Sequence, residues 1–368
     1  MDASIKIKDV TRYLEEWAPL SYQEAYDNSG LITGDPNLEI KGILLSLDCT
    51  EEVIDEAIAL GCNLVVAHHP IVFKGLRKLT GSNYVERTVI KAIKNDIGIY
   101  AIHTNLDNIH TGVNKMICEK IGLKDLKVLA PKNDTLNKLV TFIPKENANQ
   151  VTSALYEAGA GQVGDYKNCS FQLEGTGTFM PTASTKPHIG EHEKQTYVEE
   201  TRVELIFPGH LKNQILKALK TSHPYEEVAY YIFPLLNENQ HVGSGMIGDL
   251  DGDEEPLTFL QSLKNKMNLS VIRHTAPLSR NIKKVAVCGG AGSFLLSNAI
   301  QAGADAFVTA DLKYHQFFDA DKKILIADIG HYESEVFTKE LLMKVLTKKF
   351  HTFAIIFSKT QTNPISYI

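Results

Sequence analysis

The residues of this sequence with the clearest chemical potential are two adjacent histidines, His68 and His69, between the apolar run LVVA and Pro70. Neighbouring side chains of a strand point to opposite faces, so both can reach one site only if the strand ends before them. Pro70 favours such an end because it biases the preceding residue and interrupts a hydrogen-bond ladder. The pair predicts a metal site that could serve two ions from one turn. The alternative is two polar residues at a strand end.

A second pair, His331 and Glu335, is spaced i, i+4 after Gly330. If a helix begins there, both side chains lie on one face of its first turn. Imidazole and carboxylate in this arrangement suit Zn, Mn, Fe, Co or Ni. The Glu333 side chain would point away from this helix face, either into solvent or towards a metal ligand that it would orient. The alternative is an exposed first helical turn, in which acidic residues interact favourably with the helix dipole.

The segment HTNLD (103–107) adds a carboxylate and a further histidine. Asp107 could bridge two ions, which a single neutral imidazole cannot do. His103 could be a ligand, a proton carrier or a residue that orients a ligand. Together with the two pairs above, this segment predicts a two-metal site. Such sites hold their ions about 3.5–4 Å apart and generate a metal-bound hydroxide near neutral pH.

Six short apolar segments that end in polar residues must position this site: 43–48, 64–70, 97–107, 285–290, 306–311 and 324–331. The segments between them often have helical periodicity, which predicts a layered α/β sheet buried on both faces. Ligands collect at the carboxyl ends of strands in open α/β sheets. The polar residues predicted at these ends are Asp48, His68, His69, His103, Asp107, Asp311, His315, Asp328, His331 and Glu335.

The middle of the chain follows a different pattern. Its predicted order is strand–helix–strand–strand–helix–strand, the split βαβ arrangement of a ferredoxin-like α+β domain. We expect residues 131–236 to form this inserted domain. Residues 1–130 and 237–368 then form the two halves of a layered α/β body, with a mixed sheet and helices built from both chain ends.

Composition excludes several classes of protein. Hydrophobic residues make up 43% and charged residues 22%, as in a soluble globular protein. With no apolar run of membrane-spanning length and no signal-peptide pattern, we expect a cytoplasmic protein. The five cysteines contain no C-x-x-C pair and fit reduced thiols rather than metal ligands. The net charge of -6 argues against nucleic-acid binding but is compatible with a small anionic ligand.

Four motifs in this order, AHHP (67–70), HTNLD (103–107), TADLKYHQ (309–316) and GHYESE (330–335), resemble those of the Nif-three-like dimetal proteins. These proteins are also named GTP cyclohydrolase 1 type 2 homologs. GAGQVGDY (159–166), HPYEEVAY (223–230) and GSGMIGDL (243–250) match as well, so the resemblance covers nearly the whole chain. It implies a toroidal homohexamer whose dimetal sites face an inner cavity, and an insert similar to PII and CutA proteins. The metal ligands that it implies are His68, His69, Asp107, His331 and Glu335.

Two hypotheses about function follow. The first is a metal-dependent hydrolase, GTP cyclohydrolase-like or a phosphoesterase, with two divalent ions per subunit; zinc is the first candidate. A metal-bound hydroxide would attack a nucleotide or another phosphate-containing small molecule, with His103 or His315 as general acid or base. The second is a non-catalytic regulatory or scaffold ring whose inserted domain senses a ligand or partner. The turn Gly289–Gly292 could bind phosphate through its backbone amides, or could only pack a strand tightly against a helix.

Overall fold

The computed structural model describes residues 4–368 and divides into two compact units. One unit combines the chain up to Pro131 with His241–Ile368, and the other is Lys132–Gln240. The sequence predicted an insert at 131–236 within a body built from both chain ends. The two compact units meet in the chain after Pro131 and after Gln240.

The secondary structure of the described residues alternates strands and helices in both units. The strands are β1 (Gly30–Thr33), β2 (Gly42–Ser46), β3 (Leu64–Ala67), β4 (Gly98–Ala101), β5 (Lys124–Lys132), β6 (Leu136–Pro144), β7 (Phe171–Phe179), β8 (Thr196–Pro208), β9 (Tyr230–Leu235), β10 (Asn239–Glu254), β11 (Arg273–His274), β12 (Ile282–Ala291), β13 (Ala306–Ala310), β14 (Leu325–Asp328) and β15 (Ala354–Phe357). The helices are α1 (Ile7–Trp17), α2 (Glu51–Ala59), α3 (Tyr84–Lys94), α4 (Thr104–Asp107), α5 (Val113–Ile121), α6 (Ala148–Glu157), α7 (Lys212–Ser222), α8 (Pro256–Lys266), α9 (Leu296–Gln301), α10 (His331–Glu335) and α11 (Thr338–Leu346). Within residues 4–368, no helix is long and apolar enough to cross a bilayer.

The first sheet of the larger unit has the strand order β1-β4-β3-β2-β15. The four strands from β4 to β15 run parallel, and β1 is antiparallel at the edge. All residues of β2, β3 and β4 are buried, as their continuous apolar sequences predicted. Helices α2 and α3 contact each other as well as this sheet, and pack against one of its faces. The carboxyl ends of three parallel strands therefore lie side by side.

The second sheet of this unit has the order β11-β14-β13-β12-β10-β5. Its central strands β12, β13 and β14 are parallel, whereas β10 pairs antiparallel with β12 and β11 pairs antiparallel with β14. One apolar core joins both sheets and includes Leu64 and Val66 of the first and Val287 and Val308 of the second. The expectation that six strand ends belong to one sheet needs correction. They belong to two sheets that share this core, because β2, β3 and β4 pair with one another in the first sheet and β12, β13 and β14 pair in the second.

The smaller unit has the element order β6-α6-β7-β8-α7-β9 that the sequence predicted. Its sheet is antiparallel, with the order β7-β8-β6-β9. Helices α6 and α7 cover one face of the sheet. They bury Val151, Leu155, Ile215 and Leu219 against Leu139, Val203 and Leu205. The result is the α+β arrangement expected for a split βαβ domain.

Candidate metal centre

The predicted metal ligands follow directly after strands of both sheets. β3 ends at Ala67, immediately before His68 and His69. Asp107 is the last residue of the one-turn helix α4, which follows β4. In the other sheet, α10 begins at His331, shortly after β14 ends, so that Glu335 lies one turn further on the same face. The structure thus brings together all five predicted ligands.

The ligand atoms converge on the Glu335 carboxylate. Its Oε2 atom lies 3.0 Å from Nε2 of His69 and 3.1 Å from Nε2 of His331. The same oxygen is 3.9 Å from Nε2 of His68, which in turn is 3.6 Å from Oδ1 of Asp107. Among the described residues, three groups of three side chains could hold a metal ion, and two of them contain Glu335: one with His69 and His331, the other with His68 and Asp107. The third group is His68, His69 and His103.

Each of these histidines is oriented through its other ring nitrogen. The Nδ1 atoms are all 2.7 Å from an oxygen: His68 from the carbonyl of Ile102, His69 from Asp48, and His331 from Asp311. A carbonyl or ionised carboxylate oxygen only accepts, so Nδ1 carries the proton and donates it. The lone pair of each neutral ring is then on Nε2, which faces the cluster. Metal-binding histidines are commonly held in this way.

Two buried side-chain atoms without hydrogen-bond partners within residues 4–368 indicate whether the cluster is suited to hold a metal ion. Nε2 of His68 and Oδ1 of Asp107 are buried, and neither has a hydrogen-bond partner among the described residues. Leaving such atoms unsatisfied costs free energy, which coordination to a cation would recover. Imidazole nitrogens and carboxylate oxygens are also the donors that first-row divalent ions accept. The residues therefore fit a divalent transition-metal ion.

The electrostatics of the cluster also favour a cation. Burial lowers the pKa of His68 to about 3 and keeps its imidazole in the neutral form that binds metal. Burial also lowers the pKa of His69, but hydrogen bonds with Asp48 and Glu335 outweigh this effect and raise it to about 10. Burial and the nearby charge of Glu335 raise the pKa of Asp107. Without a metal, protons have to compensate the negative charge of the carboxylates.

His103 lies beside the cluster and has a carboxylate partner that the sequence did not reveal. Its Nδ1 donates to Oδ1 of Asp27 over 2.8 Å, and its ring centroid is 5.3 Å from that of His68. The Asp27 side chain is fully buried and also accepts hydrogen bonds from Ser29 and Thr104. Burial raises the pKa of Asp27, but the hydrogen bond from His103 and the others together lower it below its ordinary value. The acidic residue in DNSG (27–30) was the only sequence signal for this pair, and it has no fixed spacing from His103.

The glycine-rich segment Gly289–Gly292 at the end of β12 does not act as a phosphate-binding loop in this structure. Its amides already donate to protein side chains: Gly289 to Asn114, Gly290 to Ser334, and Gly292 to Thr309. Gly290 has a φ of +61°, and a Cβ atom there would lie 2.5 Å from Oε1 of Glu335. Of the two predictions for this turn, close packing agrees with the structure, and the contact is with a metal-ligand candidate.

Three other predicted polar residues lie outside the cluster. His315 is exposed, and its ring contacts are with Tyr314 and Phe318, so the structure does not bring it to the metal ligands. Asp328 is buried and accepts hydrogen bonds from Arg273 and from backbone amides. Glu333 faces away from the cluster, as its spacing suggested, and accepts from Asn363.

The cluster opens into a cavity of about 610 Å³ within the larger unit. His69, His103, Asp107, His331 and Glu335 all line this cavity. A volume of this size can enclose a small organic molecule. The metal-ligand candidates are therefore accessible to a ligand.

Known proteins resemble this chain over its whole length. The GTP cyclohydrolase 1 type 2 homologs of Halalkalibacterium halodurans and Bacillus subtilis are 40% and 37% identical to it; the matches cover 98% and 100%, respectively, of both chains. A crystal structure titled as a Bacillus cereus protein related to NIF3 superposes with a TM-score of 0.88 at 36% identity and 100% coverage of both chains. The model of the Duf34/NIF3 (NGG1p interacting factor 3) family matches residues 5–364. The chain belongs to the Duf34/NIF3 family.

Proposed function

We propose that this chain is a metal-dependent hydrolase with a dinuclear centre that acts on a nucleotide or another phosphate-containing small molecule. The observation that carries the proposal is the pair of three-ligand groups that share Glu335 beside an open cavity. Catalytic metal sites typically have three protein ligands and leave a position for water or substrate, whereas structural sites are closed by four. Zinc is the first candidate, and imidazole and carboxylate ligands also suit Mn, Fe, Co or Ni.

Different residues of the chain would hold the metal ions and transfer protons during hydrolysis. Bound divalent ions supply Lewis acidity, which activates a water molecule and polarises a substrate oxygen. His68, His69, Asp107, His331 and Glu335 would hold these ions. The Nδ1–H group of His103 donates a hydrogen bond to Asp27, which leaves Nε2 free to take a proton from water or return one to the leaving group. His103 would therefore be the general acid or base, with Asp27 as its positioning residue.

The proposal of a nucleotide substrate has support from the names of the relatives, which are GTP cyclohydrolase 1 type 2 homologs. Membership of a family supports an inference about the residues of a site better than an inference about the substrate. For this reason we propose the broader class of phosphate-containing small molecules, within which GTP is one candidate. Ring opening and phosphoester hydrolysis both use an activated water molecule and can be distinguished by their products.

The test is turnover of a nucleotide and phosphoester panel by the metal-loaded chain. We expect His69→Ala and Glu335→Ala to lower bound metal and to abolish turnover, because each removes a ligand from the cluster. The exposed His351 is a matched control, and His351→Ala should leave both quantities unchanged. Turnover that survives both ligand substitutions would contradict the proposal, as would full metal binding without turnover of any panel member.

A variant of Asp27 tests the role of His103 separately. Asp27→Asn should lower kcat about 10- to 100-fold, the usual effect of losing a group that orients a catalytic or metal-binding histidine. Metal content should remain unchanged because Asp27 itself belongs to none of the three groups that could hold a metal ion. Asp35→Asn, an exposed change in the same segment, is the control. An unchanged kcat for Asp27→Asn would remove His103 from the mechanism.

We further propose that six copies of the chain assemble into a ring. Support comes from the resemblance of its motifs to those of the Nif-three-like proteins. Sedimentation velocity of the full chain should then show one species with the mass of six chains. A monomer or dimer at micromolar concentration would contradict this proposal.

A further inference from the structure

Two of the aromatic side chains that line the metal cavity are only partly covered by the rest of the protein. Tyr26 and Phe73 both line the cavity, and their side chains are 65% and 47% exposed. Their ring planes are within 15° of parallel, and their centroids are 6.5 Å apart. This separation is near the upper end of the range for aromatic pairs, and both side chains remain partly exposed to solvent. Rings that served only as core packing would be buried.

The backbone segments that hold these rings are nevertheless fixed. Asn28 donates a 2.6 Å hydrogen bond to the carbonyl of Val72, which links the neighbours of Tyr26 and Phe73. The segment after Phe73 is held by Glu86, whose carboxylate accepts hydrogen bonds from Thr80, Ser82 and Asn83. The exposure of the two rings is therefore a property of an ordered surface. An ordered, exposed aromatic pair is suited to receive another flat ring.

The position of the pair connects it to the metal ligands. The Phe73 ring is 5.7 Å from the ring of His103 at an interplanar angle of 73°, and His103 is next to His68 and His69. A planar ligand on Phe73 would thus lie beside the imidazole proposed to transfer protons. Two more exposed aromatic residues, Tyr84 and Phe294, line the same cavity.

The segment that begins with Phe73 is also positively charged. Lys74, Arg77 and Lys78 are exposed, and among residues 4–368 none of them has an ion-pair partner. These three cations follow Phe73, which lines the cavity, within five positions of the chain. Cations of this kind attract phosphate groups.

We propose that the metal cavity binds a nucleotide, whose base stacks on Tyr26 and Phe73 and whose phosphate is attracted by the basic segment Lys74–Lys78. This inference rests on the proposed function for the claim that the nucleotide is a substrate, but binding itself does not depend on turnover. Stacking on aromatic residues accepts any base, because every base has a π face. The site therefore favours nucleotides as a class over base-free phosphate compounds.

The test compares AMP with ribose 5-phosphate, which lacks only the base. Both are titrated into the metal-loaded full chain by calorimetry, and chromatography checks that the ligands remain intact. AMP should bind at least about tenfold more tightly. Tyr26→Ala and Phe73→Ala should each weaken AMP binding about 5- to 150-fold, the range for one base–aromatic stack. Neither variant should change the binding of ribose 5-phosphate.

Controls for these variants come from aromatic residues of similar exposure elsewhere. Phe318 and Tyr197 are 66% and 71% exposed and do not line the cavity, so Phe318→Ala and Tyr197→Ala should leave AMP binding unchanged. Circular dichroism of each variant verifies that it is folded. A triple Lys74→Ala, Arg77→Ala, Lys78→Ala variant should weaken both phosphate ligands, and more strongly at low ionic strength.

Three results would overturn the inference: equal affinity for AMP and ribose 5-phosphate, equal weakening of both ligands by the alanine variants, or no binding of either ligand at millimolar concentration. These results differ from failure of the proposed function. Equal affinities combined with metal-dependent turnover of a base-free phosphoester would overturn only the inference. Preferential AMP binding without any turnover would overturn only the hydrolase proposal.

Discussion

At the scale of single residues, the site depends on which atom of each side chain is left free. The three histidine ligands use Nδ1 in hydrogen bonds within the protein and direct Nε2 towards Glu335. Glu335 can reach both ligand groups because the residue opposite it, Gly290, has no side chain. The candidate metal ligands and the glycine therefore form one unit, although only the candidate ligands have side chains that can bind a metal ion.

Gly290→Ala should lower the metal content of the chain. A Cβ atom at this position would lie 2.5 Å from Oε1 of Glu335 and would displace the shared carboxylate. Gly303→Ala is a matched control: its φ of +73° is similarly unfavourable for alanine, but no atom lies within 4 Å of the added carbon. Both variants should lose about 1–2 kcal/mol of stability from the left-handed backbone. Only Gly290→Ala should lose metal, as measured by elemental analysis, and equal metal contents would contradict this account.

The protonation of the ligands predicts the pH dependence of metal binding. In the metal-free chain, hydrogen bonds and nearby carboxylates outweigh burial and raise the pKa of His69 to about 10 and that of His331 to about 9. These rings hold protons at neutral pH that a metal must displace, so affinity should rise with pH up to about 10. Calorimetry in two buffers with different ionisation enthalpies measures the released protons. Binding at pH 7 without proton release would contradict the pKa shifts.

The raised pKa values of His69 and His331 should affect the stability of the metal-free chain in the opposite direction, so that stability falls as pH rises. The folded chain binds more protons than the unfolded one between the ordinary histidine pKa of 6.5 and about 10. The free energy of unfolding of the metal-free chain should therefore fall as pH rises through this window. Thermal unfolding in the presence of a chelator measures this effect. His69→Ala should flatten the dependence.

At the scale of elements, one-turn structures rather than long helices carry the site. The residues of α4 and α10 follow directly after parallel strands, and the loop before α3 carries Phe73. This loop is shaped by Glu86 in the first turn of α3. Its carboxylate accepts five hydrogen bonds from Thr80, Ser82 and Asn83. The backbone and hydroxyl hydrogen bonds from Thr80 and Ser82 lower the pKa of Glu86 to about 2.

Glu86→Gln should loosen the loop between Phe73 and Asn83 without unfolding the chain. A glutamine side chain keeps the volume but loses the charge and one acceptor oxygen. Trypsin should then cleave faster at Lys74, Arg77 and Lys78. In the natural chain, this protection should be present above pH 4.5 and be lost as pH falls towards 2, which can be monitored by hydrogen exchange. Glu119→Gln, an exposed change in α5, is the control, and equal cleavage rates would contradict the role of Glu86.

At the scale of the whole molecule, the candidate site belongs to one of the two compact units. All residues that line the metal cavity lie before residue 132 or after residue 240. The smaller unit has its own apolar core between its sheet and α6 and α7. The junctions also lie close together, since a Cβ atom on Gly243 would be 2.7 Å from Cα of Pro131.

Replacement of residues 132–240 by a short Gly/Ser linker should leave the metal content unchanged. The two chain ends created by the deletion are adjacent, and every ligand candidate remains. Elemental analysis of the shortened chain measures the outcome. His69→Ala in the shortened chain should lower metal as it does in the full chain. Loss of metal from a folded shortened chain would show that the smaller unit supports the site.

The candidate ligands and the alternation of strands and helices could be read from the sequence. These features depend on residue type and short spacing, such as the His331–Glu335 pair on one helical turn. The folded chain was needed to show that the strand ends belong to two sheets, that Asp27 pairs with His103, and that His315 lies outside the cluster. It also showed that Gly290 makes room for Glu335. Contacts between residues that are far apart in the chain leave no periodic pattern in the sequence, because they depend on how separate strands and helices pack together.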